Sequence, residues 1–358
     1  MVSGSRRPAA ALAAVALAMP AILANVPYAA TDVAVAADPT TVCADAPAHP
    51  EWIFCDDFES AAPNVGVGRY FEIDDDDGDF ERAPGVGRGG SHGMRTAWQQ
   101  GEVGAGGLKV AFGRNPIGYM NRSRLRPNED FREVWYRLDV RHDVGWVGDP
   151  AKLSRVTVFT HAGDWRQAMV AHLWGDGKGH LLVDPARCID AASRVKCATY
   201  NDFASFEWLG YKPGTTAVFD TANSGRWYCV VHHVRLNDPG QANGVQEFFI
   251  DDRLEARRDG LDFVRSYRDF ALNAVFVENY WNDGSVKDQE RYFDNLVISA
   301  GPIDCPVADG LGEATATATA TSITRTTSTA TTPMPPSTAT PTSTSSARWS
   351  THLPWAAR

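Results

Sequence analysis

Glu59 and Asp294 stand near opposite ends of this chain, each inside a segment otherwise suited to a β-strand. The first segment reads Ile53-Phe54-Cys55-Asp56-Asp57-Phe58-Glu59, the second Tyr292-Phe293-Asp294-Asn295-Leu296-Val297-Ile298-Ser299. If both strands join one sheet, the carboxylates can meet, and paired carboxylates suit a hard cation such as Ca²⁺. Other acidic and histidine groupings fare worse. Asp74-Asp75-Asp76-Asp77-Gly78-Asp79 tempts an EF-hand reading. With Gly78 at the sixth loop position, however, Ile73 falls first and Pro84 twelfth, where oxygen ligands are needed. His232 and His233 are adjacent, and neighbouring strand residues face opposite ways, so they cannot chelate one ion together. The basic cluster Arg122, Arg124 and Arg126 could steer an anionic glycan or balance nearby acids. No Glu-x-Asp-x-x-Glu strand is present, which disfavours two-carboxylate glycoside hydrolysis.

The elements that must position these residues are strands. Helical periodicity is nearly absent, and short alternating runs recur between Gly, Pro, Asn and Asp clusters. Strands are predicted over 52–58, 69–73, 91–98, 106–112, 132–141, 153–161, 167–174, 180–184, 205–211, 226–237, 245–251, 271–281 and 290–299. Alternation assigns faces. In 153–161, Val156 and Val158 oppose Arg155, Thr157, Phe159 and His161. In 226–237, Tyr228, Val230, His232, Val234 and Leu236 oppose Cys229, Val231, His233 and Arg235. In 271–281, Phe276, Glu278 and Tyr280 oppose Val275, Val277 and Asn279. Asn237-Asp238-Pro239-Gly240 has the chemistry of a hairpin turn leading to a strand that ends Phe249-Ile250-Asp251-Asp252.

Not all of the 358 residues belong to that domain. A basic head at Arg6 and Arg7, an apolar run from Ala9 to Ala24 and Ala34-Val35-Ala36 read as a secretory signal peptide over 1–36. The Thr/Ser/Pro-rich stretch within 311–358 lacks the apolar residues that would offset the entropy of folding and is expected to be a disordered tail. The domain is expected over 38–310, as a monomer outside the cell with no membrane span. A net charge of −10 argues against broad nucleic-acid binding. All six cysteines, Cys43, Cys55, Cys188, Cys197, Cys229 and Cys305, lie in the domain. An even count behind a signal peptide implies three disulfides. Proximity favours Cys43–Cys55 and Cys188–Cys197, leaving Cys229–Cys305.

An ordered series of short segments carries a family resemblance. Asp56-Asp57-Phe58-Glu59 is followed by Gly90-Ser91-His92-Gly93-Met94-Arg95, Val134-Trp135-Tyr136-Arg137-Leu138 and Gly225-Arg226-Trp227-Tyr228-Cys229. Phe248-Phe249-Ile250-Asp251-Asp252, then Tyr292 to Ser299 and Cys305, close it. The series, covering nearly all of 52–305, resembles the concanavalin A-like jelly roll, an all-β sandwich of two antiparallel sheets. Within that fold it is similar to the polysaccharide lyases that act on glucuronan and alginate, and to a secreted fungal cellulose-induced protein. The resemblance implies a structural Ca²⁺ held by the Glu59 and Asp294 carboxylates and by carbonyls near Gly89 and His92. It also supports the Cys229–Cys305 pairing. The Gln-Ile-His and Tyr-Phe-Lys-Ala-Gly segments of the better-known alginate lyases are absent, which separates the question of catalysis from that of fold.

If the resemblance extends to chemistry, the reaction is β-elimination on a uronic-acid polymer. The uronate carboxylate must be neutralised, the adjacent proton removed and the leaving oxygen protonated. His172 falls roughly where the resembled proteins carry a basic groove residue and is the expected base or acid. Arg155 is expected on the carboxylate and Tyr280 as an alternate proton donor. Trp174 shares a face with His172 and suits stacking on a sugar ring. His161, Glu278, His233 and Arg235 are the remaining expected contacts to an anionic polysaccharide, although Glu278 equally suits a salt bridge to a groove arginine. The alternatives are a non-catalytic glycan-binding or cell-surface module with the same fold, and a structural envelope protein.

Overall fold

Period-two alternation of Val, Ile, Leu and aromatic residues with polar ones gives each strand one apolar face, and two such sheets bury those faces against each other. The computed structural model describes residues 42–306. The expected signal peptide over 1–36 and the expected tail over 311–358 lie outside the described residues. The strands run in chain order as β1 Trp52–Asp56, β2 Glu72–Asp74, β3 Phe80–Ala83, β4 Gly93–Trp98, β5 Gly104–Ala111, β6 Glu133–His142, β7 Lys152–Phe159 and β8 Gln167–Gly175. They continue as β9 Leu181–Arg187, β10 Glu207–Trp208, β11 Lys212–Pro213, β12 Trp227–Arg235, β13 Gly244–Ile250, β14 Arg253–Leu261, β15 Ala274–Tyr280 and β16 Gln289–Ser299.

Two antiparallel sheets of eight strands form a jelly-roll sandwich. The first has the order β14-β13-β12-β6-β16-β4-β3 with β1 also on β16; the second has β10-β9-β8-β7-β15-β5-β2 with β11 also on β9. Between them pack Leu138, Val230, Val234 and Phe293 from the first sheet and Val156, Val158, Leu173 and Val277 from the second. These are the apolar faces that alternation assigned. Among the described residues no helix is long and apolar enough to cross a membrane.

Three strands were not expected. β14 carries the charged sequence Arg-Leu-Glu-Ala-Arg-Arg-Asp-Gly-Leu and forms the outer edge of its sheet, where charges keep the unpaired edge in water. Its entry also differs from expectation. Asp251 and Asp252 do not extend β13; both take positive φ (49° and 61°), the pattern of a type I′ turn, which reverses the chain into β14. β3 and β11 have only four and two residues, too few to show a period.

The three expected disulfides are all formed, and no described cysteine is free. Cys229–Cys305 closes a loop with a sequence separation of 76 and fastens the segment after β16 to β12. Replacing both of these cysteines with Ala is expected to destabilise the domain by about 4 kcal/mol, mostly through freedom returned to the unfolded chain. In a domain of this size that lowers the melting temperature by about 10 °C. A calorimetric shift of only a degree or two would show that the closed loop is not what limits unfolding.

Candidate functional site

Since β7, β8 and β15 turn Val156, Leu173 and Val277 into the core, the residues between them face outward from the second sheet. Register places them side by side. Arg155 pairs with His172 on β8 and with Phe276 on β15; Phe276 pairs with Lys109 on β5; Lys109 pairs with Glu72 on β2. One step along the strands, Lys152 pairs with both Trp174 and Tyr280. The outer face thus gathers Arg155, His172, Trp174, Glu278 and Tyr280, as anticipated, together with Lys109 and Lys152, which were not.

Arg155 is 1% exposed and committed to a bidentate pair with Glu278, its Nε donating to Oε2 at 2.8 Å and its Nη2 to Oε1. Its Nη1 donates to Asn201 Oδ1 at 2.6 Å. Burial alone would raise the Glu278 carboxyl, but the guanidinium outweighs it and holds the group below its ordinary range. Lys109 is similarly paired with Glu72. Lys152 differs: it has no carboxylate partner among the described residues, and its Nζ lies 3.9 Å from the Tyr280 ring centroid and 5.9 Å from that of Trp174. Burial pulls its pKa down to about 8, with the Arg155 charge adding to the effect and Glu278 opposing it. Lys152 is still partly exposed.

His172 is 0% exposed, and its Nδ1 lies 3.2 Å from the Asp184 carbonyl. Burial and the nearby Arg155 charge push its pKa well below that of free imidazole, so it is neutral at physiological pH. Trp174 packs against it at 3.7 Å between centroids.

The remaining expected contacts lie elsewhere. His161 is beyond the end of β7, exposed, with Nδ1 3.1 Å from Asp164. His233 and Arg235 face outward from the first sheet, on the opposite side of the sandwich. His233 stacks on Trp135 at 4.1 Å and its ring nitrogens meet Glu247 at 2.7 Å and Glu133 at 2.8 Å. Arg235 donates to the Asn243 carbonyl at 2.5 Å. These two residues cannot share one sugar chain with His172 while a two-sheet core separates them.

Glu59 and Asp294 do come together, around the loop between β3 and β4. The His92 N–H donates to Glu59 Oε1 at 3.1 Å, and the Arg88 N–H to Asp294 Oδ2 at 2.7 Å. Gly89 within that loop has φ 69°, a left-handed conformation that favours glycine. A Cβ on Gly87 would lie 2.1 Å from the His92 carbonyl oxygen, so the loop closes on itself only with glycine there. Burial raises the Asp294 carboxyl to about 8; the Arg88 N–H opposes this, while the Asp139 and Glu59 carboxylates add to it. Asp139 lies opposite Asp294 in register, fully buried; its Oδ2 is 3.3 Å from Arg88 Nη1, and its Oδ1 has no hydrogen-bond partner among the described residues. Among the described residues no three metal-ligating side chains converge, so backbone carbonyls would have to complete any cation shell.

No family model matches the chain, and no curated protein matches it. Similar solved structures include an endo-β-1,4-glucuronan lyase from the fungus Trichoderma reesei, 12% identical over 67% of this chain and 95% of that one, with a TM-score of 0.44. An alginate lyase from Aplysia kurodai is 14% identical, covering 64% and 91%, TM-score 0.44. A Chlorella virus alginate lyase is 10% identical, covering 64% and 90%, TM-score 0.45. At these identities the likeness concerns architecture, and the chemistry has to be read from this chain's own residues.

Proposed function

We propose that the outer face of the second sheet binds an acidic polysaccharide and cleaves it by β-elimination, with Lys152 as the base and Tyr280 as the proton donor. The observation that carries this reading is Lys152: a lysine without a carboxylate partner among the described residues, its pKa brought to about 8 and its Nζ beside a tyrosine ring. A general base works best when its pKa lies near the working pH. In the reaction the neutral Lys152 amine takes the proton on the carbon next to the uronate carboxylate. The electron pair left behind forms the carbon–carbon double bond as the glycosidic C–O bond breaks. The Tyr280 hydroxyl gives its proton to the departing oxygen. Asn201 turns its Oδ1 to Arg155, which leaves its NH₂ to hydrogen-bond the substrate carboxylate. Arg155 and Glu278 act as a fixed pair that holds Asn201 in place. Three disulfides suit an extracellular setting for such a protein.

Elimination leaves an unsaturated sugar that absorbs in the near ultraviolet, so glucuronan and alginate are tested by the growth of that band. No absorbance on either polymer, with retardation of the protein in gels that contain them, would replace the enzyme by a glycan-binding module.

We further infer that Glu59, Asp294 and the carbonyls of Gly89 and His92 hold a structural Ca²⁺. Asp294 is buried beside Asp139, whose Oδ2 is paired with Arg88 while its Oδ1 has no partner among the described residues; a cation would relieve the acid that remains, and carboxylates with carbonyls are the donors Ca²⁺ prefers. Ca²⁺ at a hundredfold excess over its dissociation constant is expected to stabilise the fold by about 2.7 kcal/mol over chelated protein. Thermal melts with and without chelator measure this, and identical melts would remove the ion from the account.

A further inference from the structure

Next to Lys152, the outer face changes character over β8 and β9. His172 donates from Nδ1 to a carbonyl, so its Nε2 is left as an acceptor, and no group among the described residues bonds it. The Trp174 indole N–H also has no partner among the described residues, and Trp174 is 2% exposed. Asp184 pairs in register with His172 and so shares its face. Its carboxyl makes no ion pair among the described residues, and burial is the sole influence that raises it, to about 7. An acceptor, a donor and a carboxyl thus lie together without partners among the described residues, and a buried donor or acceptor left unmet is destabilising.

Aromatic rings cover this floor. Trp208 stacks on His172 at 5.8 Å and on Phe203 at 6.2 Å. Trp208 belongs to β10, which is held to β9 by two residue pairs at the sheet edge. The cations of the face already have partners: Arg155 is paired with Glu278 and Lys109 with Glu72, while Lys152 lies over the Tyr280 ring with its Nζ 5.9 Å from the Trp174 centroid. A carboxylate placed here would have to compete with Glu278 and Glu72 for Arg155 and Lys109, whereas beside Lys152 it meets an amine that has no carboxylate partner among the described residues. A hydroxyl both donates and accepts, and matches the floor.

We propose that Asp184, His172 and Trp174, roofed by Trp208, form a subsite for an uncharged sugar residue, adjoining the position of the acidic residue at Lys152. The polymer that fits the whole face therefore carries neutral as well as acidic sugars. This rests on the outer face being the glycan site.

Cellotetraose and glucuronan tetrasaccharide share the β-1,4 backbone and differ in the C6 carboxylate, so they isolate charge. Binding of each is measured by calorimetry on the full chain at pH 6, where Lys152 is charged and elimination is slow. Both probes are expected to bind. Trp174→Phe, which keeps a ring and removes the N–H, should weaken cellotetraose about fivefold, the equivalent of one lost hydrogen bond, and leave the acidic probe unchanged. Asp184→Lys should turn preference toward the acidic probe about tenfold, and it decides the matter where Trp174→Phe fails to fold. If neither probe binds wild-type protein, the glycan reading of the face falls and the subsite with it. If only the acidic probe binds, or if the variants change both probes equally, the subsite is overturned while the glycan reading stands.

Discussion

Lys152→Met is expected to reduce turnover on the best acidic polymer by about a thousandfold, within the range that positioned proton transfer contributes. Lys152→Arg should lose as much, since a guanidinium keeps its proton and cannot serve as base. The arginine variant should bind the acidic substrate at least as well as the wild type, because it sets a fixed positive charge beside it, and this split between turnover and KM separates a base from a charge that only binds. The pH profile supplies the sign. Lys152 must be neutral to act, so the rate rises with pH and levels off above about 8, the value to which burial brings the group. A variant that retains most of its turnover, or a wild-type rate that falls as pH rises through this range, would remove Lys152 from the chemistry.

Arg155→Met should be the most damaging single change on this face. It leaves the Glu278 carboxylate in a nearly closed site with its bidentate partner gone, and removes the guanidinium that packs over the Tyr200 and Phe276 rings. Breaking such a pair from one side costs about 3–5 kcal/mol. In the native protein the Glu278 pKa is held below its unfolded value, so the pair's stabilisation is present at neutral pH and is lost as pH falls through the folded value. In the variant the sign reverses: burial without the arginine raises the Glu278 pKa, and stability falls as pH rises. Urea unfolding at pH 5 and pH 8 should show the larger deficit at pH 8. Arg155→Met combined with Glu278→Met should regain most of the loss, since a well-packed apolar pair replaces a buried ion pair at little cost. A deficit that is equal at both pH values would show that lost packing, not the stranded charge, causes it.

Much of the outer face was legible because strand alternation is a local property. Arg155 was placed opposite Val156, and Glu278 and Tyr280 opposite Val277, without knowledge of any partner strand. Lys152 was missed for an equally local reason with a long-range cause. Counting by twos back from Arg155 puts Lys152 on the core side. The register shift between Lys152 and Ser154 against β8 adds one residue and turns its side chain outward to Trp174 and Tyr280. Asp184 gave no signal, because a single acid in a short strand has no pattern until its neighbours are known.

His233 and Arg235 show the other kind of failure. Their alternation was read correctly, and both do face outward, but alternation does not say from which sheet. Membership of a sheet is fixed by pairings between segments far apart in sequence, such as β6 between β12 and β16.

The sequence by itself determined the two-faced strands, the all-β class and the two local cysteine pairs, with Cys229–Cys305 left by elimination, because periodicity, turn chemistry and short spacing are local properties. The tertiary structure alone decided that Glu59 and Asp294 flank one loop, that Arg155 is closed by Glu278, and that Lys152 stands free beside Tyr280. Those outcomes depend on strand order, register and one bulge, which are set by how two whole sheets bury their apolar faces.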